Sequence, residues 1–533
     1  MTDTAARQIA AGYVGEGGAV TLGSVVVDGV ADPTATVALP LSMVNRHGLV
    51  AGATGTGKTK TLQLFIEQLS ANGVPVVVAD IKGDLSGLAA PGEVSDVVTE
   101  RATRTGVDWA PEAYPVQFVS LGTEGIGVPI RATITSFGPI LLSKVLGLND
   151  TQESTLGLIF HWADQQGLEL YDLKDLRSVI QHLTSDEGRS DLKGIGGVSS
   201  ATAGVILRAL VTLESQGGDT FFGDPELDPA DLMRREGERG VVTAVELGDQ
   251  ATRPALFSTF LMWILAELYQ ELPEKGDVDK PELVFIFDEA HLLFADASKA
   301  FLEQVVQTVK LIRSKGVGVY FCSQQPTDIP RDVLSQLGAR IQHALRAFTP
   351  EDQAALAKTV KTYPKSEVYD IESAITSLGT GEAIVTVLSE RGAPTPVAWT
   401  LMAPPRSLMD TIGATAITEK ARISEAFTKY GSTVDPVSAY EKLQAKAAAA
   451  EHASVDAELA AQQAEQARSE ARMDARAGVD DGRSGGAASG GEESFVERAM
   501  SNPAVRSFLR SAASAAGREI SRSIFGTRSR RRR

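Results

Sequence analysis

A glycine-rich loop near the start of the chain has the residue types that bind phosphate. Residues 52–59 are GATGTGKT and match the pattern G-x-x-x-x-G-K-[ST]. The apolar run HGLVA precedes them and the helical pattern KTLQLFIEQLSANG follows, so the order is strand, loop, helix. Glycines let backbone N–H groups point inward at phosphate oxygens, and the helix start adds the positive end of its dipole. The sequence therefore predicts a nucleotide site here.

Each side chain of this loop has its own expected role. Lys58 should contact the β- and γ-phosphates of ATP, and Thr59 should supply a hydroxyl to Mg²⁺. A glycine-rich turn that matches by chance is the alternative, because the chain has 50 glycines. The predicted nucleotide-binding residues are Gly52, Ala53, Thr54, Gly55, Thr56, Gly57, Lys58, Thr59 and Lys60.

Two carboxylates follow a very apolar run later in the chain. Residues 283–287 are LVFIF, and Asp288 and Glu289 come directly after them. A strand buried on both faces delivers such residues to the carboxyl edge of a sheet, beside the phosphate loop. Asp288 is expected to hold Mg²⁺, and Glu289 to be the base that orients the attacking water. The alternative is a helix start that favours acids.

A third apolar run, residues 317–322, predicts a strand next to the acidic one. A polar side chain at its end could reach the γ-phosphate or the attacking water. Gln324 is the first candidate for this sensor and Gln325 the second, although Gln324 could simply cap the turn before Pro326. Cys322 lies inside the run and is more typical of a buried thiol than of a reactive one.

These residues need a framework of alternating strands and helices to meet. Apolar β-branched runs alternate with helical stretches over residues 47–405, which predicts βαβ units and a mostly parallel α/β sheet covered by helices on both faces. The expected segments are 1–46, short and β-rich; 47–410, the nucleotide-binding core with a helical insertion at about 125–240; 411–477, a helical extension; 478–491, a flexible linker; and 492–533, a basic amphipathic tail.

Composition restricts the class of protein. The 533 residues are 43% hydrophobic and 22% charged, as in soluble globular proteins. The one cysteine excludes disulfides and cysteine-built zinc sites. No run reaches the ~18–20 apolar residues of a membrane span, and residues 254–266 favour a buried helix. The first residues lack the pattern of a secretory signal, so a cytoplasmic location is expected.

The end of the chain differs in charge from the rest. From Arg498 onward there are ten arginines and one glutamate, a net charge of +9, whereas the whole chain carries −17. Three alternatives stay open for this tail. It could contact nucleic-acid phosphates, attach peripherally to anionic lipid, or dock on the protein's own acidic surface.

Four segments in this order resemble a known superfamily. They are GATGTGKT, ADIKGDLSGLAAPG, VFIFDEAH and GVGVYFCSQQPTDIP. The chain resembles the HerA/FtsK superfamily of P-loop ATPases and, more narrowly, the bacterial HerA-like ATPases with a helicase HerA-like C-terminal domain. The resemblance spans about residues 12–405 and resumes at 517–526.

The resemblance implies a RecA-like core with an additional strand, a hexameric ring and ATP-driven movement of DNA through a central channel. It places Asp80, Lys82 and Asp84 on the family's DxKGD motif, although a helix cap before Gly87 is an alternative. In such rings an arginine of one subunit completes the neighbour's site. Arg340 and then Arg346 are the candidates here, and Arg313 is a weaker one.

Two hypotheses on function follow. The first is a DNA-stimulated translocase or helicase-like motor that works as a homo-oligomer. The second is a nucleotide-dependent switch or protein-remodelling ATPase that does not act on DNA. The resemblance to DNA-moving ATPases favours the first hypothesis. The acidic body, an aromatic content of 6% and a segment of about 45 residues before the phosphate loop are the features that support the second as the alternative. No protein partner can be named from the sequence, and membrane contact is expected only from the basic tail.

Overall fold

The computed structural model describes residues 2–192, 196–248, 254–294 and 299–480. The predicted basic tail 492–533 lies outside the described residues, and so do residues 481–491 of the predicted linker. Residues 478–480 of that linker belong to a helix instead. The chain divides into two compact units, residues 1–448 and 449–533. The elements that carry the predicted site all belong to the first unit.

The described strands are short, and most of them are apolar. In chain order they are β1 Ala19–Val27, β2 Val30–Pro40, β3 Gly48–Ala51, β4 Val76–Asp80, β5 Val116–Leu121, β6 Val128–Ile130, β7 Arg235–Glu236, β8 Arg239–Gly240, β9 Val242–Glu246, β10 Leu283–Phe287, β11 Val317–Ser323, β12 Ala339–Gln342, β13 Glu382–Thr386 and β14 Ala398–Met402.

The described α-helices alternate with these strands. They are α1 Thr2–Ala10, α2 Lys58–Ala71, α3 Asp96–Thr105, α4 Ile134–Val145, α5 Asp150–Gln165, α6 Leu173–Thr184, α7 Ser200–Leu213, α8 Asp219–Phe221, α9 Pro254–Glu271, α10 His291–Phe294, α11 Lys299–Ile312, α12 Arg331–Leu334, α13 Pro350–Val360, α14 Ile371–Ser377, α15 Ala414–Arg422, α16 Glu425–Tyr430 and α17 Ala439–Asp480.

One twelve-stranded sheet organises the first unit. Its strand order is β2-β1-β14-β13-β12-β3-β11-β10-β4-β9-β5-β6. The strands from β12 to β6 are parallel neighbours, whereas β13, β14, β1 and β2 add an antiparallel edge. The predicted α/β class and mostly parallel sheet are confirmed. Strand β11 lies between β3 and β10, so it separates the phosphate-loop strand from the strand that precedes the acidic pair.

Both faces of the sheet are covered by apolar side chains, as the continuous apolar runs predict. Phe285 and Phe287 of β10 pack in one apolar cluster with Trp263 of α9. Val284 and Ile286 alternate with them and pack in a second cluster with Phe65 of α2. This alternation follows from the two-residue period of a strand. The parallel pairing of β10 with β11 and β4 fixes the edge that the residues after β10 reach.

Two segments that the sequence sets apart join this one architecture. Strands β1 and β2 of the first 46 residues form the edge of the large sheet, because β1 pairs with β14. Helices α4 to α8 lie between β6 and β9, and their apolar residues, such as Leu156 and Leu210, share the cluster of one sheet face. Residues 254–266 belong to α9, and none of the described helices is long and apolar enough to cross a membrane.

Candidate nucleotide site

The phosphate loop connects β3 to α2, and its geometry requires glycine at two positions. Gly57 directly precedes α2 with a φ of 110°, in the region that favours glycine. A Cβ on Gly52 would lie 2.5 Å from the Cβ of His343, so only a glycine fits that close approach. The loop therefore turns sharply at both ends and presents its middle residues, Thr54 and Gly55, to solvent.

The lysine of this loop lies where the sequence expects it. Lys58 Nζ donates to Gly52 O at 2.6 Å and to Ala53 O at 3.3 Å, so its ammonium group lies inside the curve of the loop. Thr56 is buried, and its hydroxyl donates to Ala53 O at 2.7 Å. Thr59 follows Lys58 in the first turn of α2. A cationic group enclosed by backbone in this way suits the binding of phosphate.

The acidic pair follows β10 at the same edge of the sheet. Asp288 is buried and accepts a hydrogen bond from the backbone N–H of Glu289 at 2.9 Å. Burial and the charge of Glu289 raise the pKa of Asp288. Glu289 has a φ of 46°, which is uncommon for a residue other than glycine, and such a conformation is found most often at functional sites.

The loop after β4 meets the acidic pair through an ion pair. Lys82 Nζ donates to Glu289 Oε1, and 51% of the lysine side chain is exposed against 7% of the glutamate side chain. Burial alone would raise the pKa of Glu289, but the hydrogen bond and charge of Lys82, with the charges of His291 and Lys58, lower it. Burial by itself would lower the pKa of Lys82. The hydrogen bond and charge of Glu289 have the larger combined effect, so the pKa of the lysine is raised. The carboxylate of Glu289 is therefore held ionised.

The other two residues of that segment have different roles. Asp80 is fully buried and accepts hydrogen bonds from the backbone N–H groups of Gly83 at 2.8 Å and Leu85 at 2.9 Å. It therefore shapes the loop that carries Lys82. Asp84 lies on the same loop, and its Oδ1 atom makes no hydrogen bond with any residue that the structure describes.

A buried glutamate that sequence reasoning missed lies beside Asp80. The strand register pairs Asp80 of β4 with Glu246 of β9. Burial and the charge of Asp80 raise the pKa of Glu246 to about 8, while burial and the charges of Asp84 and Asp288 raise that of Asp80 to about 6. The available signal was the apolar run VVTAVE, which ends in an acid as LVFIFDE does.

The sensor candidates lie directly after β11, next to the phosphate loop. Ser323 O accepts a hydrogen bond from Gly52 N at 3.2 Å, which ties the end of β11 to the start of the loop. Gln324 follows as an exposed residue. Gln325 is half-buried, and its backbone N–H donates to Asp328 Oδ2 at 2.9 Å. Of the two amides, Gln324 is the one left open to solvent.

His343 is a second buried residue that sequence reasoning missed. Its Nε2 lies 3.0 Å from Thr61 Oγ1 of α2, and its Nδ1 lies 2.8 Å from Glu382 O. Burial lowers the pKa of His343 to about 4, so the ring is neutral. It packs under Gly52 and supports the loop. No sequence signal pointed to it, because it belongs to no motif and follows β12 far along the chain.

The arginine candidates are placed at opposite edges of the sheet. Arg346 is exposed and follows β12 at the carboxyl edge. Arg340 lies on β12 and lines a cavity of about 760 Å³ together with Arg46, Lys310 and Arg313. Arg46 lies just before the first residue of β3, whereas the phosphate loop begins after its last residue. This cavity therefore lies at the amino edge, away from the chain's own phosphate loop.

A protein-family model and two curated relatives match the chain. The family model is described as "Helicase HerA-like C-terminal" and matches residues 27–533. The "DNA double-strand break repair helicase HerA" of Pyrococcus furiosus is 22% identical over 379 residues, which are 64% of this chain and 63% of that protein. "Probable helicase MJECL08" of Methanocaldococcus jannaschii is 33% identical over 134 residues, 24% of each chain. The chain thus matches less than two thirds of the length of either relative.

Solved structures with a similar course of the chain include two bacterial proteins. The unbound conjugative coupling protein TrwBdeltaN70 has a TM-score of 0.49 at 15% identity, and the match covers 76% of this chain and 94% of that one. VirB4 of Thermoanaerobacter pseudethanolicus has a TM-score of 0.46 at 15% identity, covering 74% and 98%.

Proposed function

Because the chain belongs to the helicase HerA-like C-terminal family, we propose that it is an ATP-hydrolysing P-loop motor of the HerA/FtsK type, with ATP and Mg²⁺ as its cofactors. It works as an oligomeric ring and is a DNA-stimulated translocase. The observation that carries this proposal is the meeting of Lys58, Asp288 and Glu289 at the carboxyl edge of one mostly parallel sheet.

The residues at this edge fit a nucleotide with its metal ion. The loop has the sharp turn at Gly57 and the enclosed ammonium group of Lys58 that a phosphate chain needs. Asp288 and the hydroxyl of Thr59 are the groups that would hold Mg²⁺. When bound, Mg²⁺ neutralises charge on the phosphate oxygens and polarises them.

Glu289 is the general base of the proposed reaction. Its carboxylate is buried and held ionised by Lys82, so it can accept a hydrogen bond from the attacking water and orient it. Its Oε2 atom lies 3.3 Å from Nδ1 of His291 and makes no hydrogen bond among the described residues, so it can still accept one from the water.

The cavity at the amino edge supports a site shared between subunits. Among the described residues, its lining includes four cationic side chains, Arg46, Lys310, Arg313 and Arg340, and no carboxylate. These cations lie at the opposite end of β3 from the chain's own phosphate loop. An arginine from this cavity would therefore stabilise charge on the nucleotide of a neighbouring subunit in the ring.

Steady-state hydrolysis of ATP tests the proposal. The full chain is assayed at low salt without polymer, with single-stranded DNA and with duplex DNA, beside the Lys58→Ala variant. We expect strong stimulation by DNA in the wild type and no turnover in the variant, since the ammonium group of Lys58 lies inside the phosphate loop. Full activity of Lys58→Ala would contradict the phosphate-loop assignment.

The second candidate is a nucleotide-dependent switch or remodelling ATPase that does not act on DNA. The observation that favours it is the net charge of −17, which repels a polyanion unless positive charge is concentrated locally. A rate of ATP hydrolysis that is the same without DNA, with single-stranded DNA and with duplex DNA would support this candidate.

The basic tail distinguishes the two candidates further. Deleting residues 498–533 removes a net charge of +9. If the tail meets DNA phosphates, the deletion weakens DNA binding and reduces its dependence on salt. Unchanged binding would favour a tail that docks on the protein itself.

A further inference from the structure

The cavity at the amino edge has the size of a binding site for a small organic molecule. Its volume of about 760 Å³ lies within the roughly 300–1,000 Å³ of pockets that enclose such ligands. The end of α11, the turn before β3 and strand β12 contribute its cationic side chains. Residues that follow α12 and α13, and the connection from β13 to β14, complete the lining. A single copy of the chain supplies all of these walls.

Positive charge in this cavity is not offset by acids of its own lining. Among the described residues that line it, four are cationic and none is acidic. Arg46 does pair with Asp277 outside the cavity, where Nη2 and Oδ1 lie 3.0 Å apart, but 88% of the Asp277 side chain is exposed. An ion pair that is so open to water is weak. The cavity therefore suits an anion that carries several charges.

Two neighbouring residues of this wall have nitrogen atoms without a well-formed hydrogen bond. His47 is 2% exposed, and its Nδ1 accepts the backbone N–H of Val319 at 3.0 Å. Burial lowers the pKa of His47 to about 4, against the opposing effect of the Val309 carbonyl, so the ring is neutral and Nε2 carries the proton. Neither this Nε2 nor the Nε of Arg46 makes a hydrogen bond of ordinary geometry with a described residue. Buried donors are normally paired, and an acceptor bound in the cavity would supply the missing partner.

The cationic wall is held in place before any ligand arrives. His47 has a φ of 61°, an uncommon backbone conformation that is found most often at functional sites. The carbonyl of Arg46 accepts the backbone N–H of Gly338 at 3.0 Å, which ties this turn to the start of β12. Arg340 Nη1 donates to Thr362 Oγ1 at 2.7 Å. A site whose groups are already fixed binds an anion at a smaller cost in conformational entropy.

The rest of the lining is apolar, which favours a small organic ligand over a polymer. Its members are Leu337, Tyr363, Pro364, Leu388 and Pro394. The phosphate backbone of DNA is contacted mainly by cationic and hydrogen-bonding groups, and it has no use for such a wall. A phosphorylated small molecule has an organic part that can cover these side chains while its phosphates meet the cations.

We propose that this cavity is a regulatory site for a small organic molecule that carries more than one phosphate group. While bound, the ligand occupies the arginines of the cavity and keeps them from the nucleotide of a neighbouring subunit, so it slows hydrolysis of ATP. This regulatory role rests on the proposed function. Binding of the ligand requires only one folded copy of the chain.

Inorganic pyrophosphate is the probe that tests binding. The full chain with Lys58→Ala is titrated by calorimetry without Mg²⁺, because that substitution disables the phosphate loop. We expect one pyrophosphate to bind per chain. Adding Arg46→Gln and Lys310→Gln should weaken this binding by at least about tenfold, since two of the four cations are removed. Lys310 is exposed, so Lys310→Gln alone should weaken binding several-fold and leave the fold intact.

Lys299→Gln is the matched control for these variants. Lys299 is exposed and lies on the same helix as Lys310, but it does not line the cavity, so pyrophosphate affinity should change by less than about twofold. The anion site is overturned if the Lys58→Ala chain binds no pyrophosphate, or if the cavity variants bind it as tightly as the control does. Equal weakening of duplex-DNA and pyrophosphate binding in the cavity variants would overturn it in favour of a DNA surface.

Steady-state hydrolysis by the wild type tests the regulatory role. With saturating ATP and excess Mg²⁺, pyrophosphate should slow hydrolysis, and more ATP should not relieve this inhibition. The Lys310→Gln variant should need several-fold more pyrophosphate for the same inhibition. Inhibition that ATP relieves fully would place pyrophosphate in the phosphate loop and overturn the regulatory role. A wild type that hydrolyses no ATP would remove the proposed function and this role together, whereas the calorimetry would still decide whether the cavity binds the anion.

Discussion

The two edges of the large sheet carry different ionisable groups. The carboxyl edge, where the phosphate loop also lies, holds four buried carboxyl groups, and these are Asp80, Glu246, Asp288 and Glu289. The amino edge holds a cavity lined by four cations, and these are Arg46, Lys310, Arg313 and Arg340. Burial raises the pKa of most of the carboxylates, whereas Glu289 is kept ionised by Lys82.

The two ends of the parallel strands therefore carry groups with different proposed roles. The carboxyl edge concentrates carboxyl groups, and in the proposed function two of them, Asp288 and Glu289, meet the metal ion and the water molecule. The amino edge concentrates positive charge that accommodates phosphate. One copy cannot bring both to the same nucleotide, because the strands themselves separate the edges. Two neighbouring copies in a ring could bring both edges to one nucleotide.

The largest effect is expected at the amino edge. Arg313→Ala and Arg340→Ala are assayed for ATP hydrolysis. The variant that removes the arginine reaching the neighbour's nucleotide should slow hydrolysis by about 10³-fold or more. Arg331→Ala is the control, because Arg331 is exposed and lies outside the cavity.

Mixing subunits shows whether that arginine acts across an interface. Lys58→Ala subunits have an intact amino edge but a defective phosphate loop. The arginine variants have an intact phosphate loop but a defective amino edge. Mixed assemblies should regain part of the activity. If neither arginine variant slows hydrolysis, the amino-edge cavity does not share the site, and Arg346→Ala then tests the remaining candidate.

The second-largest loss of ATP hydrolysis is expected from a substitution at the carboxyl edge. Glu289→Gln should bind ATP with nearly unchanged affinity and hydrolyse it about 10²–10⁴-fold more slowly, because the amide cannot accept a proton from water. Binding is measured by calorimetry and turnover by phosphate release. Loss of ATP binding would mean that the carboxylate has a structural role instead.

Lys82→Met tests whether the ion pair lowers the pKa of Glu289. Without the ammonium group the pKa of Glu289 should rise, since burial would no longer be opposed by Lys82. A base must be ionised to work, so hydrolysis should fall several-fold near pH 6 and much less near pH 8.5. Lys82→Arg should restore most of the wild-type profile. A loss that is the same at every pH would contradict a role in tuning the base.

The smallest effect concerns folding stability. The pKa of Glu246 is about 8 in the folded chain, against an ordinary value of 4.5. The folded state therefore holds a proton that the unfolded chain has released, and the free energy of unfolding should fall as pH rises from about 5 to 9. Glu246→Gln should remove on the order of 2 kcal/mol of this decline.

Urea unfolding at several pH values measures this change. Glu236→Gln is the control, because Glu236 is exposed on β7. An identical pH dependence in both variants would show that the buried carboxyl pair does not lower stability at high pH.

Much of the fold could be predicted from local patterns. The predicted runs 283–287 and 317–322 coincide with β10 and with all but the last residue of β11. The apolar run VPVVVA starts at Val74, yet β4 begins only at Val76, since Pro75 has no N–H to donate. The edge position of β1 and β2 could not be predicted, because it depends on pairing with β14 from the other end of the core.

Sequence alone determined the groups that carry the proposed chemistry. Lys58, Thr59, Asp288 and Glu289 each belong to a short contiguous motif whose strand or helix is encoded beside it. Tertiary structure alone decided which distant groups tune them. Strand order places Glu246 beside Asp80, His343 beneath Gly52, and Arg313 with Arg340 at the far edge. Such pairings leave no local pattern in the sequence, because they arise only when strands far apart in the chain become neighbours in one sheet.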